Sequence, residues 1–140
     1  MHLNKLRHSH SVAIKMQEIG EKLGLSETEI NQLFILGLNH DIGYQFIKEH
    51  EKHNRIGGEI LKKSGYKYWK EVYYHGEIDK EYNSLFLDIL NMADLQIDKD
   101  GNDIGFDERL KDIKERHTEE IYNKCSKLVT DLKKKYRKIL

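Results

Sequence analysis

Histidine and aspartate recur in this chain at positions that a folded protein ordinarily reserves for apolar side chains. In LGLNHDIGYQF, Leu36 to Phe46, His40 and Asp41 stand side by side at the end of an apolar run. Upstream, His10 shares a helical stripe with Leu6 and Ala13. Downstream, Asp94 lies on the Leu87–Leu90–Asn91 side of the most apolar segment, YNSLFLDILNMADLQID. Burying an unpaired carboxylate is costly, and no Lys or Arg shares these stripes to neutralise Asp41 or Asp94. A divalent cation would do so, because neutral imidazole and carboxylate are its ordinary mixed ligands. His53 and His75 border the intervening helices and can extend one metal site into two. Taken singly, each residue has a plainer reading, as a hydrogen-bonded core histidine or a helix cap. The ordered set His10, His40–Asp41, His53, His75, Asp94 is what favours a metal centre. His8, off the His10 stripe, is expected to face solvent or to support a ligand from behind; His2, His50 and His117 read as surface residues.

Helices must position these groups. Leu6, Ala13, Met16, Gly20 and Leu23 fall near one face of a first helix. Ser26 with Glu29 reads as a capping box opening a second helix, which delivers His40 and Asp41 at its end, with Gly43 as its stop. HNRIGGEILKKSG predicts a third helix closed by Gly65, and YKYWKEVYYHGE a fourth, although its Val and Tyr residues also suit a strand. The apolar segment carrying Asp94 is a central helix. KDGNDIGFDE reads as a loop with Asp107 capping the next helix, and charged helices follow over 107–116 and about 119–138. No alternating strand pair with a hairpin turn stands out. The fold class is all-α, a bundle of about six to seven helices.

With 24 basic and 24 acidic residues the chain has zero formal net charge, which gives no global electrostatic case for nucleic acid or membranes. The apolar runs are shorter than the roughly 20 residues of a spanning helix. The N-terminal MHLNKLRHSHS lacks the apolar core of a secretory signal. The single cysteine, Cys125, forms no intrachain disulfide framework and suits a reducing compartment. The expectation is one cytoplasmic domain over residues 1–140, its metal-site core at about 6–100 and its C-terminal helices at 107–138.

The segments HSVAIKMQEIGEKLG, LGLNHDIGY and NMADLQID together resemble the HD-domain metal-dependent phosphohydrolases, whose hallmark is an H…HD…D order on a helical bundle. The chain is most similar to small bacterial HD proteins in which HDIGY is followed by segments like HNRIGGEIL and YYHGE, and later by one like DERLKDIKERH. The resemblance implies His10, His40, Asp41 and Asp94 as ligands of a first metal. It implies His53 and His75 as ligands of a second, with Asp41 bridging and central to catalysis. One or two divalent transition ions (Mn, Fe, Ni, Mg or Zn) are implied, as is a phosphomonoester or nucleotide substrate. Many catalytic members carry Lys or Glu just after the HD segment, where Tyr44 and Gln45 stand here. Arg55, Tyr44 and Lys48 are the candidates for substrate contact, Arg55 foremost because its fork can grip phosphate bidentately.

Two rival functions have the same ligand set: a non-catalytic nucleotide-binding or oligomerising HD module, and a di-iron HD-type oxygenase. The tyrosines at 66, 68, 73 and 74, with Trp69, suit base stacking, core packing or a homodimer contact. DKDGNDIGFDER starts like a calcium loop, but Asp103 stands where Gly is needed and Arg109 where the bidentate Glu belongs. The basic tail LVTDLKKKYRKIL reads as a solvated face rather than a nucleic-acid contact.

Overall fold

In the computed structural model, residues 3–46 and 52–140 are described. They form α1 (Leu3–Lys22), α2 (Glu27–Asn39), a 3-10 turn (Ile42–Gln45), α3 (His53–Lys63), α4 (Trp69–Tyr74), α5 (Leu85–Asp94), α6 (Gly105–Arg116) and α7 (Glu119–Lys135). No strand is formed among the described residues; the extended pairing present is an isolated bridge between Ile97 and Asp103. The segment that left helix and strand open is helix α4.

α5 is the axis of the bundle. Phe86, Leu87, Ile89, Leu90, Met92 and Ala93 are all buried, so the helix is covered on every side. Against it pack Val12, Met16 and Ile19 of α1, Leu33 and Leu36 of α2, and Leu128, Val129 and Leu132 of α7. Burial of each such side chain contributes about 1.5–3 kcal/mol, the main term opposing chain entropy. The core phase of α1 runs through His8, Ser9, Val12, Ala13, Met16, Ile19 and Gly20, while Leu3 and Leu6 are exposed. The stripe expected through Leu6 and His10 is therefore rotated away from the core.

The Ser26 capping box is present: Glu29 N donates to the Ser26 hydroxyl at 3.2 Å and Ser26 N donates to the Glu29 carboxylate at 3.1 Å. α2 then lies against α1 at Gly37, where an added Cβ would stand 2.5 Å from the Ala13 Cα. Only glycine permits that approach. Gly43 is not a left-handed stop as expected; it sits in the 3-10 turn, where a side chain would collide with the His53 carbonyl. α6 begins at Gly105 rather than Asp107, with Ile104 as its uncapped entry. Asp107 supports the first turn as a charge near the helix N-terminus instead.

In the loop before α6, Asp98 Oδ1 accepts from the Asp100 and Asn102 amides, both at 2.9 Å. The segment that began like a calcium loop is a turn organised around its own aspartate. No helix among the described residues is long and apolar enough to cross a membrane.

Candidate metal centre

Five helices and one turn bring His8, His40, Asp41, His53, His75 and Asp94 together. His8 comes from the first third of α1, His40 caps α2, Asp41 opens the 3-10 turn, His53 starts α3, His75 caps α4 and Asp94 ends α5. Helix ends converge here, so the side chains need reach only a short way. Three overlapping triads have ligand atoms mutually within 4.8 Å: His8–His40–Asp41, His40–His75–Asp94 and Asp41–His53–His75.

The two oxygens of Asp41 face different groups. Oδ2 lies 3.3 Å from His40 Nε2 and 3.5 Å from His8 Nε2. Oδ1 lies 3.2 Å from His53 Nε2 and 3.7 Å from His75 Nε2. Asp94 Oδ1 completes the first half, 2.8 Å from His8 Nε2 and 3.4 Å from His40 Nε2. Asp41 is thus the group common to both halves.

The far sides of the imidazoles decide what the near sides present. Nδ1 of His8 donates to the Asp98 carbonyl at 2.8 Å, Nδ1 of His40 to the Gly37 carbonyl at 2.7 Å, and Nδ1 of His75 to the Val72 carbonyl at 2.6 Å. A carbonyl oxygen only accepts, so each Nδ1 carries a proton, and in the neutral ring each Nε2 offers a lone pair. These backbone acceptors orient the rings as ligating histidines are oriented. Nε2 of His40 is fully buried and has no hydrogen-bond partner among the described residues, although two carboxylate oxygens stand nearby. His53 and His75 bring their Nε2 atoms to 3.2 Å. Where an Nε2 lone pair faces a carboxylate oxygen, as at His8 and Asp94, a proton or a metal ion must lie between them.

Protons can meet that demand in part. Burial disfavours the charged forms of His8 and His40, but the carboxylates of Asp94 and Asp41 outweigh it and raise both above the usual histidine value. Burial would likewise raise Asp41, yet the His40 charge and contacts from His53 and His75 hold it well below the carboxylate range. Asp94 behaves the same way beside His40 and His8. The pocket stabilises positive charge at its centre, and its donor set suits a divalent ion.

The expectation for His10 is corrected. It is exposed and edges against Phe34 at a ring separation of 6.1 Å, whereas His8, expected off the site, is 4 % exposed and inside it. The available signal was phase: His8 stands one turn ahead of Val12 and two ahead of Met16, both buried.

The centre opens into a cleft of about 410 Å³. Tyr44 lines it, stacked on His53 at 4.2 Å with Lys5 Nζ 3.7 Å above the same ring. Arg55 also lines it, but its fork is committed: Nε and Nη2 donate to Glu77 at 3.0 and 2.6 Å, and Nη1 to the Tyr73 hydroxyl at 3.0 Å. The expected bidentate grip on phosphate is therefore occupied by a carboxylate. Lys48 lies outside the described residues, as do His2 and His50. Sequence reading missed Asn91, which lines the cleft; its Oδ1 accepts from Gly76 N at 2.8 Å while its buried Nδ2 has no partner among the described residues.

A family model for the HD domain matches residues 6–138, nearly the whole chain. The chain belongs to the HD-domain family. This places it in a superfamily of metal-dependent hydrolases and accords with the all-α bundle. None of the curated proteins and none of the solved structures matches it. The HD dipeptide of the family's name is His40–Asp41, which stands where α2 gives way to the turn and both halves of the cluster meet.

Proposed function

We propose that this HD domain is a metal-dependent phosphohydrolase, cleaving a phosphomonoester or a nucleotide phosphate bond with activated water. The observation that carries it is the double-faced Asp41, flanked by histidines whose Nδ1 atoms are pinned to backbone carbonyls. His8, His40, Asp41 and Asp94 would hold one ion; Asp41, His53 and His75 would hold a second. Bound there, a divalent ion lowers the pKa of water towards about 7 and neutralises charge developing on phosphoryl oxygens.

The protein's own part is positioning. The Gly37, Val72 and Asp98 carbonyls fix the three rings, so their ligand atoms do not have to be ordered when substrate arrives. Asn91 Nδ2 offers a donor beside the centre. Tyr44 forms a flat wall over His53 and limits the approach of bulky groups. Its hydroxyl is kept protonated, because burial and the nearby carboxylates push its pKa upward.

Elemental analysis of the purified protein, coupled to a phosphate-ester and nucleotide panel with Mn, Mg, Ni, Fe and Zn, tests this reading. Asp41→Ala and Asp41→Asn are both expected to lose metal and hydrolysis. A fully active Asp41→Ala protein would refute it.

A further inference from the structure

The charge of the cleft is not the charge of the chain. The sequence balances to zero, yet six cationic side chains line the cleft against three carboxylates. Two of those carboxylates, Asp41 and Asp94, belong to the metal centre. The third, Glu77, is taken up by Arg55. Lys5, Lys99, Arg109, Arg116 and Lys124 remain, and of these Arg109, Arg116 and Lys124 come from α6 and α7.

The two arginines are held in place without being used up. Asp112 contacts Arg109 Nη1 at 3.4 Å and Arg116 Nε at 3.0 Å, and Arg109 Nε donates to the Asp94 carbonyl at 3.4 Å. One carboxylate is shared between two guanidinium groups, so the remaining donors of both lack a protein anion among the described contacts. Lys124, one turn into α7, is half-buried and lines the same cleft, with no carboxylate of the described residues in an ion pair with it. Confining cations this way costs self-repulsion that a bound anion relieves. Arginine forks of this kind match phosphate oxygens.

We propose that the cleft has a second anion subsite, formed by Arg109, Arg116 and Lys124, which takes a phosphate or carboxylate of the substrate distant from the one hydrolysed. This rests on the phosphohydrolase reading for its first subsite but not for its second. The substrate class is then a small phosphate ester with two anionic ends. Arg55, bound to Glu77, takes no part in it.

Inorganic phosphate is a probe that separates the two subsites, followed by 31P NMR titration at low salt. The metal-loaded protein is expected to bind two phosphates per chain. The metal-free protein should bind one, and so should metal-loaded Arg116→Gln/Lys124→Gln, whose second site weakens at least about tenfold through lost charge-assisted bonds. Asp41→Ala should lose the metal-dependent phosphate and keep the other. A wild-type protein with one phosphate that only metal supports overturns the second subsite and leaves the hydrolase reading standing. Two phosphates retained in the double variant also overturn it. Phosphate bound only without metal dependence, and weakened by Arg116→Gln/Lys124→Gln, supports the subsite while removing the hydrolase reading. Arg109 is left unchanged in these variants because it also contacts the Asp94 backbone.

Discussion

His8 and His10 are two residues apart on α1, and about 200° of helical rotation separates their side chains. One enters the cluster and the other meets Phe34 at the surface. An apolar stripe drawn through Leu6 selects the wrong one, because Leu6 is 52 % exposed and lies outside the core. Pairing with Val12 and Met16 selects the right one. Of the other five candidates, Asp94 was placed by phase on the Leu87–Leu90–Asn91 side of α5, and there the phase was right; His40, Asp41 and His75 sit at helix ends and His53 at a helix start. Residue type and chain order were enough for those four. Sequence shows the Arg55 fork and not its partner, since Glu77, which pairs with it, lies 22 positions away. His8→Ala should therefore lower metal affinity by more than the roughly 10–100-fold that loss of an outer hydrogen-bond partner costs. His10→Ala should keep wild-type metal content and activity. Metal analysis of the two purified variants checks both outcomes, and equal loss in each would contradict the assignment of His8.

Among the elements, the α1–α2 pair sets the distance between His8 and His40, and it is closed at Gly37 against the Ala13 backbone. Backbone cannot rotate out of the way as a flexible side chain can. Gly37→Ala is expected to cost about 1–3 kcal/mol by overpacking, measured by chemical unfolding, and to reduce metal affinity without touching a ligand. A variant with unchanged stability would show that the pair is not tightly closed there. The start of α5 offers a control. Asp88 of α5 is 6 % exposed and accepts from Tyr136 at 2.5 Å and Lys135 at 2.8 Å, tying down the end of α7. Asp88→Ala should destabilise the fold by about 1–3 kcal/mol and leave the metal content unchanged. Helix identity was legible except at α4, whose Val and Tyr residues also suit a strand, since the capping box and the apolar period act locally. The start of α6 was not. Its Asp107 looked like a cap, but the helix enters through Gly105 at a φ of 79°, a geometry fixed by the preceding turn around Asp98.

For the molecule as a whole, protons and metal compete for one centre, and this gives opposite pH trends to the two forms. His8 and His40 have folded-state values raised above 6.5 by Asp94 and Asp41, against the effect of burial. A raised value stabilises the metal-free fold below the unfolded value, and that stability is lost as pH climbs through the folded value. Asp41 and Asp94 are depressed below 3.8, so their contribution is present above 3.8 and lost only in stronger acid. The metal-free protein should therefore weaken on going from about pH 5.5 to about pH 8. Metal must displace the same protons from Nε2, so its affinity rises over that interval, and the stabilisation it confers grows as RT ln(1 + [M]/Kd). His117 opposes the metal-free trend: burial and the charges of Arg116 and Arg109 lower its value, so its contribution to stability grows as pH rises through the interval. Melting curves recorded with chelator and with excess Mn across the interval should diverge with rising pH. Parallel curves would mean that His8 and His40 do not exchange protons for metal, and the ligand set assigned to the first ion would have to be redrawn.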